Sequence, residues 1–279
     1  MRIFKNERRF GAVLVAAAAC AAICMFLAIC HCSAQDLNND DAEAEAKPAT
    51  ELPKLPPPEG ATQLSPKFDV WVDSAKGVVI IDGRIALRRG MLEMFSCTRN
   101  TKEHESIVAA DAQAFLVHAG LLRLGAEVGH PVQFMPEFKP PAGTEIDIEV
   151  VWHDANGKER TARAQDWIRD MKTGKEMSYP WVFAGSRFWT DPENGRQYYQ
   201  AEGGDFICVS NFGTAMLDVP VKSSQSNDEL EFEAWTDRIP PLGTPVRMLL
   251  KPKLEKGKAE GGGGKAEGGR RKAEGGESK

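Results

Sequence analysis

Between Phe95 and Ser106 the chain gathers a thiol (Cys97), an imidazole (His104), two carboxylates (Glu103 and Glu105) and two cations (Arg99 and Lys102). A thiol becomes a strong nucleophile when a neighbouring imidazole lowers its pKa. A carboxylate orients such an imidazole in any catalytic triad. Cys97, His104 and Glu105 are therefore the candidate catalytic set, suited to acyl or thiol chemistry. The spacing permits contact without requiring it, and the local signatures of established Cys–His enzymes are absent. The same residues also read as a solvated connection between two elements, with Asn100 and Glu103 as a capping pair.

Other polar groups extend this candidate site. Arg99 and Lys102 lie within it, and Asp166, Trp167 and Asn211 are candidate walls of a carbohydrate or peptide cleft. Trp167 equally reads as a core anchor, because a buried indole needs only one polar partner. Residues 223–227, Ser-Ser-Gln-Ser-Asn, form a second run of small polar side chains. Cys97 and Cys208 are the only cysteines beyond the apolar N-terminus. They read either as a disulfide, which an oxidising compartment favours, or as two buried free thiols. His104, Glu105, His118, His130 and His153 are metal-ligand types, yet none has ligand spacing, so no metal and no cofactor is expected. His118, in an apolar run, reads as a hydrogen-bonded core histidine.

The chain of 279 residues frames this region with segments of different character. Residues 1–34 combine a basic start, a long apolar run and Cys32-Ser33-Ala34, small at both cleavage positions. They read as a signal peptide or, if retained, an N-terminal membrane anchor over residues 10–30. Residues 35–60 are an acidic, Pro-rich linker, and residues 252–279 are a Lys/Ala/Glu/Gly repeat with nothing apolar to bury. Residues 61–250 carry a formal charge of −7 within a chain of net charge −5. An acidic domain lacks the basic face that nucleic acid requires. The expected partner is an unknown ligand or protein outside the cytoplasm, with membrane contact only through the N-terminal segment.

Residues 61–251 form the one folding unit. Val70 and Val72 alternate as in a strand; residues 78–81 lead to Asp82-Gly83, a hairpin signal. Asp111 is placed to cap an apolar helix over residues 112–124, buried on most sides and stopped by Gly125. Ile146, Ile148 and Val150 alternate with acidic residues, and Asn156-Gly157 turns the chain onto residues 158–164. Residues 197–200 and 205–210 read as another hairpin. The expected fold class is α+β, a β-rich antiparallel sheet domain with one main buried helix.

Six runs resemble the YdjY-domain family of exported bacterial proteins. They are Leu92-Glu93-Met94-Phe95-Ser96-Cys97-Thr98-Arg99, Thr101-Lys102-Glu103-His104-Glu105-Ser106, Ala164-Gln165-Asp166-Trp167-Ile168, Trp181-Val182-Phe183-Ala184-Gly185-Ser186, Gly204-Asp205-Phe206-Ile207-Cys208-Val209-Ser210-Asn211-Phe212 and Ser223-Ser224-Gln225-Ser226-Asn227. The resemblance spans about residues 66–250 and implies export but no established activity. A ferredoxin-like label sometimes attached to the family does not carry over, since two cysteines cannot supply the four thiolates of an ordinary iron–sulfur cluster. The functional expectation is a non-catalytic extracytoplasmic binding or interaction module. The alternative is a Cys/His-dependent enzyme or a redox or metal-handling accessory protein.

Overall fold

The computed structural model describes residues 54–223 and 231–254. The expected signal or anchor, most of the linker, the C-terminal repeat and residues 224–227 of the Ser/Asn run lie outside the described residues.

An antiparallel hairpin opens the domain. β1 (Val70–Asp73) pairs with β2 (Val78–Ile85), Val70 opposite Ile81 and Asp73 opposite Val78. β2 does not turn at Asp82-Gly83, as the sequence led us to expect; it runs straight through. A Cβ at Gly83 would stand 2.6 Å from the carbonyl oxygen of Ala109, so only glycine lets the neighbouring backbone this close. At this point β2 passes from pairing β1 to pairing β4 (Ser106–Ala110), with Gly83 opposite Ala110. Asp82 faces β10 (Pro245–Pro252), where Arg247 grips both its carboxylate oxygens at 2.6 and 2.7 Å. Arg247 also donates to the carbonyl of Pro56 at 2.7 Å, tying the entering chain to the outer face.

That crossing closes the sheet. With β3 (Met94–Thr98), β5 (Glu145–His153), β7 (Trp181–Phe183), β8 (Ile207–Cys208) and β9 (Leu217–Asp218), the ring order is β2, β10, β5, β7, β9, β8, β3, β4 and back to β2. The domain is thus a closed eight-stranded β-barrel with one α-helix, not the α+β antiparallel sheet expected. Closure leaves no open edge in the ring. Two neighbouring pairs, β3–β4 and β8–β9, are parallel. The first of these follows from the polar stretch itself. Residues 99–105 carry the chain back along β3, through a short 3-10 turn at Glu103–Glu105, so that Ser106 starts level with Met94.

The local patterns otherwise hold. β5 points Ile146, Ile148 and Val150 inward and pairs with β6 (Glu159–Arg163) across the Asn156-Gly157 turn. β10 inserts Val246, Met248 and Leu250 between them and β2. One apolar cluster fills the interior, including Phe95, Trp167, Trp181, Phe183, Phe206 and Phe232.

α1 (Ala114–Arg123) buries Val117, Gly120 and Leu121 in the same cluster, against side chains of Val72 and Val79. It is not buried on most sides: Phe115 and Leu122 are about half exposed. Its stop is as expected. Gly125 adopts φ +89°, and the N–H groups of Gly125 and Ala126 reach Leu122 and Leu121 at 2.9 and 3.1 Å. Its start is not. Asp111 is held by Arg99, and the helix is instead capped from afar by Glu202. That carboxylate accepts the N–H groups of Ala114 and Phe115 at 3.1 and 2.9 Å.

Candidate functional site

Cys97 lies in the middle of the barrel wall and is fully buried. Burial pushes its thiol up, and the nearby hydroxyls of Ser106 and Thr101 and the backbone of Lys102 offset this only in part. His104 sits on the 3-10 turn with its side chain 77 % exposed, and its Nε2 lies 3.9 Å from Glu105. The imidazole therefore faces solvent and a carboxylate, and the thiol faces hydroxyls. An acidified thiol needs a cation or a base beside it, and what acts most on this one is burial, then hydroxyls and a backbone N–H.

Cys208 is the second buried thiol. It sits among Met94 and Ala215, and burial raises it well above the usual thiol range. Both cysteines are free, which decides the choice left open by the sequence against a disulfide. Both are expected to resist alkylation in the native protein and to react after unfolding, as read by mass spectrometry of the two cysteine-containing peptides. Rapid labelling of Cys97 in the folded chain would place it in reach of solvent and reopen nucleophilic chemistry.

The remaining polar groups of the stretch serve the barrel. Arg99 holds both oxygens of Asp111 at 2.9 Å. The N–H of Asn100 donates to Glu103 at 3.0 Å, but the 3-10 turn starts after Lys102 and has no side-chain cap, so Asn100 does not cap it. Lys102 stands among three carboxylates: Asp205 at 3.0 Å, Glu105 at 3.7 Å and Glu93 at 3.8 Å. Burial alone would lower its ammonium, but the hydrogen bond and charge of Asp205, with those of Glu105 and Glu93, hold it above the ordinary lysine value. Glu93 is pushed up by burial and by the charge of Glu105.

The candidate walls are each held by contacts within the fold. Trp167 is 1 % exposed and packs edge-on against Trp152, ring centres 5.2 Å apart. Asp166 closes a short turn by accepting from Arg163. Asn211 is buried and donates to Asp218 and to the carbonyl of Val219, both at 2.9 Å, while Ser223 donates to it. Two open cavities of about 670 and 590 Å³ are lined by none of the sequence-derived site residues. Among the described residues no cluster of His, Cys, Asp and Glu is arranged to hold a metal.

What the stretch does is anchor a projecting ribbon. Phe188–Thr190 pairs antiparallel with Gln197–Tyr199, Trp189 opposite Tyr198. The sequence had paired residues 197–200 with 205–210. The overlooked signal is the turn chemistry of Pro192 and Asn194-Gly195 between two aromatic runs. On leaving the ribbon the chain enters the 3-10 turn Gln200–Gly203, whose Glu202 caps α1 and whose carbonyl at Glu202 accepts from Thr98 at 3.3 Å. Gly204 follows with φ +114°, and a Cβ there would meet Lys102 at 2.8 Å. The other leg is fixed at Ser186, whose hydroxyl donates to the carbonyl of Thr214 at 2.6 Å.

The ribbon also leans on α1. Tyr199 donates its hydroxyl to the carbonyl of Gly185 at 3.0 Å, so His118 Nδ1, 2.8 Å away, is the donor to that oxygen. Burial lowers the imidazole, which keeps it neutral, and raises the phenol. His118 is thus the hydrogen-bonded histidine expected. Around it Phe115 meets Phe188 edge-on at 6.2 Å. Phe115, Phe188, Trp189 and Tyr198 are each 45–53 % exposed. Clustered exposed aromatics on a braced element mark a contact surface more often than scattered ones do.

The sequence model of the YdjY domain matches residues 70–251. No curated protein and no solved structure matches the chain. The chain belongs to the YdjY-domain family.

Proposed function

We propose that this YdjY-domain chain is an extracytoplasmic, non-catalytic binding module that meets its ligand through the aromatic surface of the ribbon and α1. The observation that carries this reading is the exposure of Phe115 on α1 and of Phe188, Trp189 and Tyr198 on a ribbon braced at both legs. Rigid aromatic side chains supply contact area at little entropic cost, because ordering them freezes few torsions. The basic start and apolar run of residues 1–34 support export, and they make an N-terminal anchor the route to a membrane. Cys97 lends no support to an enzyme, since burial raises its thiol.

The test is a photo-crosslinking amino acid placed at Tyr198 in the full-length chain, expressed in the source cells, with the same group at Thr161 on β6 as control. Adducts are expected from position 198 and not from 161. Equal labelling at both, or none at 198, overturns the reading.

A further inference from the structure

The two faces of the ribbon differ in kind. Its ladder extends beyond the central pairs, because Gln200 N–H donates to Arg187 and Asp191 N–H to Arg196, at 2.9 and 2.8 Å. Side chains alternate between faces. Phe188 and Tyr199 therefore share the face packed on α1, and Arg187, Trp189 and Asp191 share the other with Arg196, Tyr198 and Gln200. On that outer face the rings of Trp189 and Tyr198 lie 5.8 Å apart at an angle of 33°, close enough to parallel to form one broad platform.

Arginines stand at both ends of the platform. Among the described residues neither Arg187 nor Arg196 forms an ion pair, whereas Arg99, Arg163, Arg169, Arg238 and Arg247 are each paired with a carboxylate. The one carboxylate on this face is already engaged: Asp191 accepts from the N–H of Glu193 and from the side chain of Asn194, at 2.8 and 2.6 Å. A domain whose residues 61–250 carry −7 thus presents, on the ribbon face that holds two tilted aromatic rings, two arginines with no ion pair among the described residues, the Arg187 guanidinium reaching to 3.9 Å from where a Cβ on Gly213 would stand.

We propose that this outer face binds an acidic saccharide, sugar rings bearing carboxylates. The proposal rests on the ribbon being the contact surface and goes further by naming the ligand chemistry. A sugar ring has a C–H face that lies flat on an aromatic ring, and hydroxyls at its rim that Gln200 and the guanidinium groups meet. Guanidinium pairs with carboxylate through two parallel hydrogen bonds, which a neutral sugar cannot offer. A peptide partner is the less favoured occupant. Peptide side chains anchor in pockets, and neither of the two cavities described above includes these residues. Attraction between exposed charges weakens with salt, so binding is expected to fall as ionic strength rises.

Titration of the full-length chain with an oligomer of galacturonic acid, followed by calorimetry, tests this directly. The comparison probes are a neutral glucose oligomer of equal length, poly-glutamate and a single-stranded oligonucleotide. Saturable binding of the galacturonate oligomer is expected, weakened at least tenfold by Trp189→Ala and by Arg187→Gln with Arg196→Gln. These positions are exposed, and thermal melting confirms that the variants fold. The proposal is overturned if the neutral oligomer binds as tightly, or if the arginine variants bind as wild type. It is overturned too if poly-glutamate or the oligonucleotide binds better. If no probe binds while crosslinking from position 198 persists, the acidic-saccharide assignment fails and the binding-module reading stands.

Discussion

Replacing Trp167 with alanine is expected to cost roughly 3–5 kcal/mol of folding stability, the range for deleting a buried large aromatic side chain. The indole is one of the largest fully buried groups in the protein, between Trp152 and Phe95, with ring centres 5.2 and 6.3 Å away. Its carbonyl accepts from Trp235 at 2.9 Å, so the position also fixes the strand Phe232–Ala234 against Ile168–Asp170. Trp167→Phe should lose less, because a ring remains in the cavity. Urea unfolding of both variants gives the measurement. A loss below about 1 kcal/mol for Trp167→Ala would mean that the side chain is not the core anchor described, and that the wall of a cleft is again open to it.

Asp218 predicts an effect on pH dependence. Its carboxyl is wholly buried on β9, and burial raises its pKa well above the usual range despite hydrogen bonds from Asn211 and from the N–H groups of Val219 and Phe212. Oδ2 has no hydrogen-bond partner among the described residues. The folded state thus keeps a proton that the unfolded chain releases near pH 4. The contribution of Asp218 to stability is full below that pH and is lost progressively as pH rises towards the raised folded value, at about 1.4 kcal/mol per pH unit for one proton. Asp218→Asn cannot ionise. Its stability relative to wild type should therefore increase from pH 4 towards neutrality, read as the difference in melting temperature at each pH. A constant difference would show that Asp218 titrates normally in the fold.

Of these two residues, Trp167 reads in the sequence both as a core anchor and as a cleft wall, and Asp218 passes unremarked. Trp167 lies in a run with two Asp and two Arg side chains. It is core because the turn Ala164–Trp167 rotates the indole inward while Asp166 stays outside with Arg163. Asp218 sits among apolar residues with nothing local to mark it as a buried acid. Its neighbours Asn211 and Ser223 arrive from the chain on either side and meet only in the folded barrel. Likewise Asp111 has the side chain of a helix cap and is placed just ahead of the helix, yet Arg99 claims it and Glu202 takes its role.

Residues 95–106 show the division most clearly. Their composition marked them as the densest group of reactive side chains, and the apolar run before them reads as a core strand leading in. Sequence alone determined which side chains point inward along β5, where α1 stops at Gly125, and that β5 turns back at Asn156-Gly157. Those signals act between residues close in the chain. Only the tertiary structure decided that Gly83 closes a barrel, that Cys97 and His104 face different surroundings, and that the stretch braces an aromatic ribbon. Strand partners and burial are set by groups that lie from tens to more than a hundred residues away, and periodicity records the face of a strand without recording its neighbour.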